Sequence, residues 1–199
     1  MKKLLVSIVA ALMAVPMFAQ YSSGGFELDK ENLYYGVRFG GTIASVGGDV
    51  SVGSKVGLTL AGVVGLRVSH SSPVFLESGL YYTQRGAKED NITITHDNLE
   101  IPILVKYGIK ATDDIAVLPF IGPYFAYAVS SEYKYKGETV PKDQFRPNRN
   151  NMGFKLGCGV EYNKLYAELG YQFAVTNFVD SDDITAHNNA LFLNLGLNF

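Results

Sequence analysis

Leu191-Phe192-Leu193-Asn194-Leu195-Gly196-Leu197-Asn198-Phe199 carries an apolar residue at every second position. Successive side chains of a strand point to opposite faces, so Leu191, Leu193, Leu195, Leu197 and Phe199 share one face, and Phe192, Asn194, Gly196 and Asn198 the other. A helix would instead bring residues three and four apart together. The stretch is therefore a strand with two chemically different sides.

The same alternation recurs upstream. Leu165, Ala167, Leu169, Tyr171 and Phe173 oppose Tyr166, Glu168, Gly170 and Gln172, and Phe154, Leu156, Cys158, Val160 and Tyr162 oppose Lys155, Gly157, Gly159 and Glu161. Leu99, Ile101, Ile103, Val105 and Tyr107 oppose Glu100, Pro102, Leu104, Lys106 and Gly108. Leu76, Leu80 and Tyr82 oppose Phe75, Glu77, Gly79, Tyr81, Thr83 and Arg85; Val64, Leu66 and Val68 oppose Gly65 and Arg67; Tyr35, Val37 and Phe39 oppose Gly36, Arg38 and Gly40. Between Val117 and Tyr127 the phase is blurred by Phe120 and Tyr124, and Ile121, Pro123, Phe125 and Tyr127 are assigned to the apolar face. Eight segments result, each about the 9–11 residues a tilted strand needs to cross a bilayer.

The links between them alternate in length. The first, third, fifth and seventh are long and polar, at 45–58, 86–98, 130–150 and 175–188, whereas the others are short, at 70–72, 111–116 and 163–164. Such alternation marks an up-and-down antiparallel barrel whose long loops share one rim and whose tight turns share the other. The expected fold is an all-β, eight-stranded antiparallel transmembrane barrel.

Charge position decides which face is outside. Arg38, Arg67, Glu77, Arg85, Glu100, Lys106, Lys155, Glu161 and Glu168 all fall on the face opposite the apolar one. An eight-stranded barrel encloses only enough space for packed side chains or one small ligand, too little for the many Leu, Val, Ile, Phe and Tyr of the apolar face. The Gly-rich charged face must therefore point inward and the apolar face into hydrocarbon. Lipid offers no partner to a strand edge, which obliges the sheet to close. Isolated buried charges are costly, so the inward residues of both signs are expected to pair across the lumen and plug it. Aromatic side chains sit at headgroup level in such barrels, and the belts are assigned to Tyr35, Tyr107, Tyr162 and Phe199 at the short-turn rim, and to Tyr82, Tyr127, Tyr171 and Phe173 at the long-loop rim.

Composition agrees with this reading. Only 18% of the 199 residues are charged and 13% are aromatic, with 21 glycines and a net charge of -2. Disorder, collagen and a basic nucleic-acid surface are excluded. The single Cys158 provides neither a disulfide nor a zinc motif, and no cofactor motif is present. Lys2 and Lys3, an apolar run from Leu4 to Val15, then Pro16 and Ala19 have the pattern of an export signal. Residues 1–19 are expected to be a removed leader, 20–33 a short periplasmic segment, and 34–199 the barrel.

Tyr35-Gly36-Val37-Arg38-Phe39-Gly40-Gly41, Phe75-Leu76-Glu77-Ser78-Gly79-Leu80-Tyr81-Tyr82, Leu99-Glu100-Ile101-Pro102-Ile103-Leu104-Val105-Lys106-Tyr107 and Phe120-Ile121-Gly122-Pro123-Tyr124 resemble the outer-membrane β-barrel domain of the PorT-like "porin family", with the architecture of OmpA- and OmpX-type small barrels. The resemblance implies an outer-membrane location in a Gram-negative-type bacterium. It also implies that Phe199 is read by the barrel assembly machinery during insertion, and it allows envelope or secretion proteins as partners.

Two other features bear on function. Tyr133, Lys134, Tyr135, Lys136, Lys142, Arg146 and Arg149 mix cations and aromatics in one long loop, a combination suited to anionic sugars or lipopolysaccharide phosphates. His70, His96 and His187 lie in links without a Ser two residues away on a lipid-facing strand end, and the acidic run Asp180-Ser181-Asp182-Asp183 lacks the Gly and Glu of a calcium loop. The chain is accordingly read as non-enzymatic, metal-free, and surrounded by outer-membrane lipid and lipopolysaccharide. Its roles would be structural or surface-interacting, with a small pore and a component of a secretion complex as alternatives.

Overall fold

Alternation becomes ten strands in the computed structural model, which describes residues 33–48, 52–69, 71–89, 92–136, 138–139, 149–176 and 186–199. They are β1 (Leu33–Gly48), β2 (Val52–Arg67), β3 (Val74–Glu89), β4 (Ile92–Tyr107), β5 (Ile109–Lys110), β6 (Ile115–Tyr135), β7 (Glu138–Thr139), β8 (Asn150–Tyr162), β9 (Leu165–Ala174) and β10 (Ala186–Asn198). Eight of them form the wall of a closed antiparallel barrel in the cyclic order β1-β2-β3-β4-β6-β8-β9-β10. β5 and β7 are two-residue additions along β6. Closure pairs β1 with β10 from Gly36↔Asn198 to Gly48↔Ala186, and Tyr35 and Phe199 exchange backbone bonds of 3.0 and 2.7 Å just beyond.

The faces separate as their chemistry demands. Phe39, Leu58, Ile121, Leu169, Leu193 and Leu195 are exposed on the outside, each more than half so, which only a hydrocarbon solvent makes favourable. Arg38, Glu77, Arg85, Glu100 and Lys106 are at most 2% exposed. At the short-turn rim, β8 turns into β9 through Asn163-Lys164, where Asn163 adopts φ 53°, a left-handed conformation that Asn tolerates.

The strands run further than the apolar period does. Parts of the links expected at 45–58, 86–98 and 130–150 are ladder instead: β1 and β2 are separated by three residues, β3 and β4 by two, and β6 continues to Tyr135. Thr93, Thr95 and Ser131 belong to these extensions. Above the membrane the outer face meets water instead of lipid, so outward side chains need not be apolar and the period-two signal fades while pairing persists. The irregularities in register, at Ala44/Val46, Ser54/Thr59 and Asp97/Asn98, all fall in these upper regions, as bulges at barrel rims do. The barrel strands begin at Leu33. The expected leader 1–19 and most of the segment 20–33 lie outside the described residues.

Candidate functional site

Inward positions of six strands converge on two layers of charge. In the layer nearer the short turns, Glu77 of β3 takes Lys106 Nζ of β4 at 2.8 Å, Arg38 Nη2 of β1 at 3.2 Å and the Tyr34 hydroxyl at 2.7 Å. Lys106 also donates to Tyr166 Oη at 2.8 Å, Tyr166 donates to Glu168 Oε2 at 3.0 Å, and Asn194 Nδ2 donates to Glu168 Oε1 at 2.8 Å. Glu161 is held by Asn198 Nδ2 at 2.8 Å. The Arg38 guanidinium stacks 4.0 Å over the Tyr166 ring.

The layer nearer the long loops is centred on Glu100. Arg85 and Lys155 both bind its carboxylate, Gln172 Nε2 donates to it at 3.1 Å, and Arg85 Nη2 donates to Gln172 Oε1 at 2.8 Å. Lys155 Nζ lies 4.7 Å from the centre of Tyr81 and 5.0 Å from that of Phe192, and Arg85 is 5.6 Å from Tyr124. The apolar residues Leu104, Phe120 and Phe192 form a separate buried cluster. Arg38, Arg85, Lys106 and Lys155 face Glu77, Glu100, Glu161 and Glu168, a balanced set. Burying either sign alone would cost several kcal/mol per ion, so this arrangement is stable only as a set.

Arg67 departs from expectation. It is half-exposed at the short-turn end and donates Nε to the Ser69 carbonyl at 2.8 Å, because its position is the last of β2 and water reaches it. It is a mouth residue outside the two layers.

Rings fill much of the lumen between the charges. Phe75, Tyr81, Tyr166 and Phe192, which the alternation places on the inward face, are buried inside, as are Phe120 and Tyr124 from the segment of blurred phase. Register supplies the reason. Phe120 lies opposite Gly157, and a Cβ there would come within 2.5 Å of its ring; a Cβ on Gly159 would come within 2.7 Å of Tyr166. The glycines are recesses in the wall that rings fill. The signal to find them is an inward aromatic placed beside an inward glycine on the next strand.

Of the belt residues, Tyr35, Tyr107, Tyr162 and Phe199 are exposed at one rim, and Tyr127 and Tyr171 at the other. Tyr82 and Phe173 are half-buried, Phe173 against Phe154 at 5.9 Å. Of the loop candidates, Tyr133, Lys134 and Tyr135 belong to β6 and not to a loop, since their backbones pair with β4 at Ile94, Thr93 and Ile92. Lys136 Nζ sits 5.6 Å over the Tyr135 ring, and Lys134 is paired with Glu132 at 3.4 Å. Arg149 is exposed just before β8; Lys142 and Arg146 lie outside the described residues, as do His70 and the acidic run at 180–183.

His96, expected in a link, is on β4 with its side chain turned inward. Nδ1 is 2.8 Å from Ser131 Oγ. It stands beyond the Leu99–Tyr127 pair, level with the outward hydrogen bond from Gln84 to Asp97 and hence above the hydrocarbon. Burial first and Lys55 second push its pKa down from 6.5 to about 4. Its folded form resists protonation, so its contribution to stability is complete above pH 6.5 and is lost as pH falls toward 4. Proteolytic nicking of the β3–β4–β6 extension is expected to rise over that window, and His96→Gln is expected to flatten the rise. Nicking that is equally acid-dependent in the variant would remove His96 as its cause.

A family model described as outer membrane protein beta-barrel domain matches residues 18–180. No curated protein is significantly similar in sequence. Among solved structures, Neisserial surface protein A is 14% identical over 83% of this chain and 97% of its own, with a TM-score of 0.52. A major outer membrane protein from Thermus thermophilus is 14% identical over 82% of this chain and 99% of its own, with a TM-score of 0.48. Ail of Yersinia pestis, solved with the heparin analogue sucrose octasulfate, is 13% identical over 84% of this chain and 99% of its own, with a TM-score of 0.45.

Proposed function

As a member of the outer membrane β-barrel domain family, this chain crosses the outer membrane of a Gram-negative-type bacterium, and we propose that it does so as a sealed, non-enzymatic barrel whose working surface is its exterior extensions. The observation that carries this reading is the double layer of buried charge around Glu77 and Glu100, tied to rings that fill the recesses beside it. An ion moving along the axis would have to separate Lys106 from Glu77 and Lys155 from Glu100 in a space with little water to replace them. Planar-bilayer recordings of the pure protein are expected to be electrically quiet. Steady ohmic conductance would overturn the sealed reading in favour of a small pore.

The extensions support the second half of the proposal. β4 and β6 pair from Asp97↔Ser130 to Ile92↔Tyr135, beyond the aromatic rim, and present Lys134, Tyr135 and Lys136 to the exterior. An exposed cation stacked on a ring suits an anionic sugar or a lipopolysaccharide phosphate, and Arg149, exposed just before β8, adds a further cation. Binding to lipopolysaccharide that falls with Lys136→Ala and with added salt supports this role. Binding indifferent to both would point instead to a protein partner of the envelope.

A further inference from the structure

Strand β4 is incompletely stitched to both of its neighbours. Its pairing with β3 runs from Val74↔Tyr107 to Ser78↔Ile103 and resumes only at Tyr81↔Glu100. Its pairing with β6 breaks after Pro102↔Tyr124 and resumes at Val105↔Ile121. The ladders β1–β10, β6–β8 and β8–β9 run without a gap. Register extended across the two gaps puts Pro102 opposite Gly79 and Pro123 opposite Ile103, and proline has no N–H to give to a ladder. Ser78 Oγ compensates at one gap by donating to the Pro102 carbonyl at 2.7 Å. At the other stands Gly122, where the β4 backbone approaches so closely that a Cβ would strike the Ile103 carbonyl.

Depth makes these gaps unusual. Ile103 is midway between Leu99 and Tyr107, at the centre of the hydrocarbon, where no water replaces a missing backbone bond. The gaps also have an apolar lining on both sides. Outside are Ile101, Ile103 and Ile121, each about half exposed. Inside is the cluster of Leu104, Phe120 and Phe192, with the two phenylalanine rings stacked 6.3 Å apart. Parting the wall here sacrifices bonds that prolines have already removed. The nearest charges, Lys106 Nζ at 5.4 Å from the Phe120 ring and Lys155 Nζ at 5.0 Å from the Phe192 ring, are paired with Glu77 and Glu100.

We propose that the wall opens laterally along β4 at this depth and admits an acyl chain of a neighbouring lipid against Leu104, Phe120 and Phe192. The opening is sideways and dry, so it is compatible with a lumen sealed along its axis and independent of it: conductance reads one, lipid contact the other.

The chain has no tryptophan, which makes a single-tryptophan reporter clean. Leu104→Trp is compared with Val63→Trp, whose site is buried on β2 where the pairings with β1 and β3 are continuous. Both are reconstituted in phosphatidylcholine vesicles brominated near the middle of the acyl chain. Bromine is expected to quench the Leu104→Trp reporter more strongly than the Val63→Trp one, and restoring both donors with Pro102→Ala and Pro123→Val is expected to abolish the excess. If Leu104→Trp does not fold, Phe120→Trp reports from the same cluster. Equal quenching at the two sites, or an excess that survives the proline replacements, would overturn the lateral opening.

Discussion

Glu100→Ala is expected to destabilise the barrel by about 3–5 kcal/mol, the cost of leaving buried charge uncompensated. Glu100 is the only carboxylate bound to Arg85 and Lys155 among the ion pairs described, and its side chain is fully buried. The loss is read as a lower urea midpoint for unfolding in lipid vesicles, and as a smaller folded fraction on unheated gels. Replacing all three residues together, with Arg85→Met, Glu100→Leu and Lys155→Met, is expected to recover most of the loss, because apolar side chains of similar volume substitute for a buried ion pair at little cost. A Glu100→Ala barrel as stable as its parent would mean that water solvates the two cations, and so that the lumen is open.

The second large effect lies on the opposite face. Leu193→Arg is expected to cost about 2–4 kcal/mol, because a charge at the bilayer midplane must be dragged toward the headgroups or leave lipid altogether. Leu193 is 55% exposed and pairs with Gly41 and Leu169 in the middle of its strands. The same change at Leu197, beside the short-turn rim, is expected to cost about 0–1 kcal/mol. Folding free energies from urea titrations in vesicles test the gradient; equal losses at both depths would contradict the assignment of this face to lipid.

Much of this architecture is written in residue order. Leu191 to Phe199 specify a two-sided strand without help from the rest of the chain, and the confinement of Arg38, Glu77, Arg85 and Glu100 to one phase specifies inside and outside. Two things are not written there. Which cation meets which carboxylate depends on barrel register: Lys106 and Glu77 approach across neighbouring strands, but Lys155 of β8 and Glu100 of β4 meet inside the barrel with β6 between their strands, and nothing local to either residue encodes that. Alternation places Phe75, Tyr81, Tyr166 and Phe192 inward, but which recess a ring fills is a property of pairs: Phe120 packs against Gly157, on which a Cβ would strike its ring. The exterior extensions escape for a different reason. Thr93 and Thr95 are good strand formers, yet where the outer face meets water instead of lipid, polar residues such as these and Ser131 leave no periodic trace. Tyr133, Lys134 and Tyr135 consequently have the look of a loop.

The pairing of β1 with β10 has a consequence for the order of events in the cell. β1 is the first barrel strand to leave the ribosome, and the partner that covers its free edge is the last. Synthesis at about 5–20 residues per second separates them by roughly 10–30 s. For that interval, and throughout export, a strand with Phe39, Ile43 and Arg38 on its two faces has one flank that nothing in the nascent chain can satisfy. The wall cannot be assembled strand by strand as it emerges, so closure is a single late step, and the unclosed chain must be kept from pairing with other chains until that step occurs.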